Sequence, residues 1–217
     1  MKNIFLTSSF AEVSDLFKEY ENEEFQGKTV TFIPTASIHE EVTFYVDAGK
    51  EALEGFGLVV DILEISTASY EEISNKLKYN EYIYITGGNT FFLLQELKRT
   101  GTDKLIIDQI NLGKTYIGES AGAVVLSPNI EYISEMDNPK IAENLTSCDA
   151  LGIIDFYPLP HYTNFPFKEA AETIFSKYKE KIKISTFSNN EAISINGGHV
   201  KVEAQAEQGF SSRTNNS

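Results

Sequence analysis

The stretch YIGESAGAVV, residues 116–125, changes character halfway along its length. Tyr116 and Ile117 favour a strand, Ala121 opens a run of small residues that suits a helical start, and Ser120 stands between Gly118 and Gly122. A serine at a sharp strand-to-helix turn, with glycines two residues to either side, has the pattern of a nucleophile elbow. Small neighbours let the backbone lift the hydroxyl clear and leave room for a substrate, and the helix start offers backbone N–H groups to an oxyanion. The same pattern also fits a tight turn that only packs, or that holds a phosphate on its N–H groups.

Outward from that turn, short apolar runs rich in β-branched and aromatic residues alternate with longer segments of helical character, the pattern of a parallel sheet covered on both faces. Strands are expected at 4–7, 29–34, 58–65, 81–86 and 115–118, and helices at 11–25, 38–55, 70–77, 90–99 and 103–111. Pro128 ends the helical start at Ala121, and 130–160 has no clean period, so it reads as irregular structure around the site. A helix is expected at 167–181, and strands around Asn196-Gly197-Gly198 read as a C-terminal hairpin. One α/β domain over 1–209 is expected, with 210–217 as a frayed tail.

The 217 residues are 41% hydrophobic, enough for one sizeable core. Lys plus Arg number 18 against 32 Asp plus Glu, a formal net charge of -14, which opposes binding to nucleic acid or to anionic membranes. Cys148 is the single cysteine, so no intrachain disulfide or cysteine-based zinc site can form. The start of the chain lacks the apolar length of a signal peptide or membrane span, and a cytoplasmic location is expected.

Open parallel sheets bind ligands beyond the carboxyl ends of their strands, and two glycine-bearing exits stand out, Gly87-Gly88-Asn89 and the Ser120 turn. If their strands are neighbours, both loops face one crevice. A serine hydroxyl needs a base, and the imidazoles are those of His39, His161 and His199. His39 and His199 read as ordinary histidines. His161, in the aromatic and proline-rich FYPLPHYTNFPF, has rigid apolar surroundings that would keep its ring neutral. A carboxylate would orient it, and Glu131, Glu135, Asp137 and Asp155 all lie between Ser120 and His161. Glu119 should face away from Ser120 on an extended backbone, which leaves it a pocket-lining, substrate-binding role at most.

Together, ITGGNTFFLL (85–94), GESAGAVVLSPNI (118–130), the acid pair in SEMDNP (134–139) and PLPHY (158–162) resemble the dipeptidase E-like serine peptidases, the aspartyl dipeptidases and cyanophycinases. The resemblance runs from about Met1 to Lys201. It implies a flavodoxin-like three-layer sandwich with a mostly parallel sheet, related to the class I glutamine amidotransferase fold. It places the nucleophile on Ser120, the histidine on His161 and the oxyanion donors on the N–H groups of Gly88 and Ala121. The family acid falls on Glu135, with Asp137 the nearest aspartate. Family members that take an N-terminal Asp use an arginine beyond the histidine; this chain has only Arg99 and Arg213, neither soon after His161. Lys168 would be a single-point substitute, and aspartyl preference is not expected.

The resulting expectation is a serine peptidase that cleaves small peptides through a Ser120-His161-Glu135 triad, with no metal or cofactor. Asn89, Glu119 and Lys168 are the candidate substrate-binding residues, and Phe91, Tyr157, Tyr162 and Phe165 the candidate aromatic walls. Two alternatives stand beside it: a non-catalytic binder of small ligands on the same fold, and a serine hydrolase for another acyl or β-linked peptide substrate.

Overall fold

Tyr82-Ile83-Tyr84-Ile85 shows how one strand serves two layers, because successive side chains leave a strand on opposite faces. In the computed structural model, which describes residues 2–205, this is β4 (Tyr82–Ile85), and all four residues are buried. Its tyrosines join Phe5, Phe17, Phe32 and Leu53 in one core. Its isoleucines join Leu6, Leu93, Ile106 and Ile174 in the other. A strand buried on both faces has no polar side to show, so its sequence reads as unbroken apolar character.

The sheet has seven strands: β1 (Asn3–Thr7), β2 (Thr29–Ile33), β3 (Val59–Ile62), β4, β5 (Thr115–Glu119), β8 (Glu191–Asn196) and β9 (His199–Ala204). Their order is β3-β2-β4-β5-β1-β8-β9; the first five run parallel, and β8 and β9 are antiparallel. Helices α1 (Ser14–Glu21) and α2 (Phe44–Gly55) cover one face through Leu16, Phe17 and Leu53. The other face is covered by α3 (Tyr70–Tyr79), α4 (Thr90–Thr100), α5 (Thr102–Asn111), α6 (Ala121–Val124) and α7 (Lys168–Tyr178). This is the expected α/β sandwich with a mostly parallel sheet.

The differences from expectation have local causes. The helix expected at 11–25 is only Ser14–Glu21, stopped where Asn22 turns left-handed at φ 48°. Of 38–55, only Phe44–Gly55 is α-helical, since Val42 and Thr43 are β-branched and propagate a helix poorly. Region 130–160 holds two short 3-10 helices and β6 (Tyr157–Leu159), which pairs in parallel with β7 (Ile184–Thr186). Strands of three residues are too short to show a period. The expected hairpin is β8 and β9, joined through Gly197 and Gly198, both at positive φ. The tail expected at 210–217 lies outside the described residues.

What this topology does for the site is put β5 between β4 and β1, with Gly118 level with Ile85 and Glu119 level with Thr7. The loops after β1, β4 and β5 therefore leave the sheet side by side, at its carboxyl edge.

Candidate active site

Ser120 follows β5 directly and has φ 46° and ψ -103°, a conformation that costs a non-glycine residue roughly 1–3 kcal/mol. Backbone bonds hold it there. Its N–H donates to the Thr7 carbonyl at 2.8 Å, and its own carbonyl accepts from Ala123 and Val124 at 2.9 and 3.0 Å. The flanking glycines allow a close approach: a Cβ on Gly118 would lie 2.6 Å from the Gly122 carbonyl oxygen, and one on Gly122 would lie 2.3 Å from that of Ile85. Strand end, turn and helix start thus nest in a space with no room for side chains, and Ser120 itself stands half-buried just beyond the carboxyl end of β5.

His161 meets it there. The ring Nε2 lies 3.0 Å from Ser120 Oγ, hydrogen-bond distance for proton transfer. His161 has a positive φ of 57°, and its N–H donates to Ser8 Oγ, which in turn donates to the Phe187 carbonyl. Phe167 packs against the ring at 4.7 Å between centroids. Burial by these neighbours pushes the imidazole below its ordinary 6.5, although the hydrogen bond that the ring donates to Asn189 works against the shift. The ring is therefore a neutral base at pH 7, with the far nitrogen available as a donor.

That far nitrogen faces an amide, not a carboxylate. His161 Nδ1 is 2.8 Å from Asn189 Oδ1, so the Nδ1–H tautomer donates to Asn189 and leaves the Nε2 lone pair for the serine. Asn189 is itself fixed: its N–H donates to Asn164 Oδ1, and its Nδ2 donates to Glu12 Oε1 at 3.4 Å. Glu135, expected in this place, lies elsewhere. Its exposed carboxylate lies at the end of a 3-10 helix (Glu131–Glu135) and takes a hydrogen bond from Lys177 at 3.1 Å. Asp137, the alternative, accepts from the Thr90 N–H at 2.9 Å and from the Thr90 hydroxyl; burial raises its pKa to about 6. Asp155 pairs with Lys183 at the surface. Asn189 is the residue that sequence reasoning missed, and its one signal there was a turn-forming Ser-Asn-Asn between strands.

The Gly87-Gly88 loop, which follows β4, lies against Ser120. A Cβ on Gly87 would be 3.3 Å from Ser120 Cβ. Gly88 has φ 129°, and any side chain on it would strike the Ala36 carbonyl at 2.2 Å, so only glycine lets the loop pack this close to the Ala36-Ser37 backbone. Among the described residues, neither the Gly88 nor the Ala121 N–H has a hydrogen-bond acceptor in the protein.

The other candidate binding residues are occupied. Asn89 is buried and caps α4, its Oδ1 accepting from Phe92 N–H and its Nδ2 donating to the Asn138 carbonyl. Glu119 is buried beneath the sheet edge and does not line the crevice, and Lys168 is exposed with its ammonium 4.0 Å from Glu172. Phe91 belongs to the core, Tyr157 packs on Tyr132 and Tyr162 on Phe175, while Phe165 is exposed. The aromatic ring that packs on the His161 imidazole is Phe167. Among the described residues, no three His, Cys, Asp or Glu side chains converge as metal ligands, and no helix is long and apolar enough to cross a membrane.

Comparison with known proteins decides the lineage. The model of peptidase family S51 matches residues 4–203. The chain belongs to peptidase family S51. It is thus a serine-type peptidase, and S51 relatives follow it closely. An uncharacterized peptidase of Listeria monocytogenes is 62% identical over 200 residues, spanning 92% of this chain and 97% of the relative. Peptidase E of Salmonella arizonae is 32% identical over 159 residues, spanning 73% and 66%. The crystal structure of a Listeria monocytogenes protein provisionally named peptidase E superposes with a TM-score of 0.91 at 60% identity, covering 95% of this chain and all of the other.

Proposed function

We propose that this S51 peptidase hydrolyses small peptides of dipeptide size by acyl transfer through Ser120. The observation that carries the reading is the 3.0 Å approach of His161 Nε2 to the hydroxyl of a serine held at a strained elbow. Ser120 Oγ attacks the peptide carbonyl carbon as its proton passes to His161 Nε2. The oxyanion so formed turns toward the Gly88 and Ala121 N–H groups, which need no rearrangement to receive it. As the C–N bond breaks, His161 returns the proton to the leaving amine. Water then repeats the sequence on the acyl-enzyme: it yields a proton to His161, attacks the ester and frees the acid and the serine.

In this reading Asn189 is the third member, in place of Glu135. An amide holds the ring tautomer as a carboxylate does but brings no charge to the imidazolium, as in the Cys-His-Asn hydrolases. Asn189 serves mainly to orient. The dipeptide scale comes from the resemblance to the dipeptidase E-like enzymes. An aspartyl preference lacks support, because Arg99 is committed to Glu96 and the Ser66 carbonyl and Lys168 to the neighbourhood of Glu172.

The test is amine release from a panel of aspartyl, alanyl and leucyl dipeptides and p-nitroanilides, with wild type and Ser120→Ala. Cleavage by the wild type alone, not restricted to aspartyl substrates, is the expected outcome. Silence across the panel, or cleavage retained by Ser120→Ala, overturns the reading.

A further inference from the structure

One residue before Ser120 stands a carboxylate that the chemistry above does not use. Glu119 is 2% exposed. Its Oε1 accepts from the Phe10 N–H at 3.0 Å, in the loop after β1. Its Oε2 accepts from the Tyr84 hydroxyl on β4 at 2.9 Å and, at a long 3.5 Å, from the Gly87 N–H just beyond β4. One buried side chain on β5 therefore holds the exits of both neighbouring strands.

A carboxylate is a costly way to fill a core, since burial strips its hydration and an apolar side chain would fill the space without that loss. Its value lies in what it fixes. A strained residue such as Ser120 persists only where its surroundings over-determine it. Beyond Ser120, α6 does this through two bonds to the Ser120 carbonyl; before it, the work falls to the Ser120 N–H on Thr7 and to the anchored Glu119 side chain. Glu119 also reaches Gly87, which lies against Ser120 and immediately precedes Gly88.

We infer that ionised Glu119 is a positioning residue that ties the Gly87-Gly88 loop to the Ser120 elbow and so sets where the Gly88 N–H stands relative to the hydroxyl. The inference rests on the acyl-transfer reading only for what that spacing does to rate. Glu119 touches neither substrate nor the reacting atoms.

Ionisation matters because three donors face two oxygens. A proton on the carboxyl can be accommodated by turning the Tyr84 hydroxyl around, but the Phe10 and Gly87 N–H groups cannot reverse. A protonated Oε2 is a poorer acceptor, so the long Gly87 contact on that same oxygen is the one released. The titratable groups facing Glu119 are Tyr84 from β4, Glu12 from the loop after β1 and Tyr45 from α2, with no cation among them. Burial, with a smaller push from Glu12, lifts the Glu119 pKa to about 7 against the bonds from Phe10, Tyr84 and Gly87. The tie therefore tightens as pH rises through about 7 and slackens as it falls, whereas His161 alone would place the acid limb of activity below 6.5.

Two readouts test this on the full chain. In the wild type, the Gly87 and Gly88 amide NMR resonances are expected to shift with a midpoint near 7, and in Glu119→Gln to stay flat across that range. The rate of Ser120 modification by a fluorophosphonate, followed against pH, should drop about tenfold at its plateau in Glu119→Gln, as a small misplacement of a donor would cause. Its acid limb should move below 6.5. Tyr84→Phe removes a donor to the ionised form, so its limb should move above that of the wild type. For a cleaved peptide, kcat should fall in Glu119→Gln with KM unchanged. Flat glycine resonances in the wild type, or a Glu119→Gln profile identical to the wild type, overturn the inference while leaving a reactive serine intact. An unreactive serine beside titrating glycine amides would instead overturn the acyl-transfer reading and support the tie.

Discussion

Ser120 and His161 reach the same crevice by opposite routes. The serine is delivered by a few consecutive residues, Gly118 to Val124, whose glycines, backbone bonds and register against β1 and β4 leave one arrangement. The histidine is held by distant parts of the chain: Ser8 beneath its N–H, Phe167 against its ring and Asn189, 28 residues on, at its far nitrogen. A locally built arm tolerates little change but is complete in itself. A tertiary arm can exchange one orienting group for another and still present the imidazole.

The sharpest way to break that contrast is to remove each reacting group. Ser120→Ala and His161→Ala should each lower kcat/KM by about 10⁴-fold or more, without unfolding the chain, since members of such a unit fail together. Peptide cleavage assays beside thermal melting check this. In the neighbouring loop after β4, Gly88→Ala would force a Cβ to 2.2 Å from the Ala36 carbonyl at a φ only glycine adopts easily. It should cost about 2 kcal/mol or more of stability and roughly a hundredfold in kcat, read by denaturant titration and single-turnover kinetics.

The tertiary arm should give more gently. Asn189→Ala should lower kcat by roughly tenfold, because a neutral amide orients the ring without offering it charge. Asn189→Asp should recover rate while moving the acid limb of the pH profile upward, since an added carboxylate favours the imidazolium. At the small end, Glu135→Gln should change activity less than about twofold, because it removes only an exposed ion pair with Lys177. A loss comparable to that of Asn189→Ala would return Glu135 to the third position.

Buried acids give the contrast a pH signature. Glu119 and Asp137 have folded-state pKa values of about 7 and about 6, above their ordinary 4.5 and 3.8, so the folded chain holds protons that the unfolded chain has released. Their contribution to stability is complete below the unfolded values and is lost as pH rises through 6 and 7. The melting temperature should decline over that window, and the decline should flatten in the Glu119→Gln, Asp137→Asn double variant.

Much of this was legible in the chain itself. The apolar runs on β1, β2, β4 and β5 marked a sheet buried on both faces, and two glycine-bearing strand exits marked its functional edge. Ser120 and His161 could be picked out because an elbow and a histidine in a rigid apolar loop have local signatures. Asn189 has only a Ser-Asn-Asn that marks a turn and no role: its place depends on β7 lying beside β6, and strands of three residues carry no readable period. Strand alternation alone gives the expectation that Glu119 faces away from Ser120. That it meets Phe10, Tyr84 and Gly87 depends on strand order, which the residues alone leave open.

The most direct test of the account is an intact-mass spectrum after exposure to a fluorophosphonate, for the wild type, Ser120→Ala and His161→Ala. The account predicts a single adduct on the wild type, none on Ser120→Ala and greatly slowed labelling of His161→Ala. A wild type that takes up no adduct, or an adduct that survives in Ser120→Ala, would contradict it.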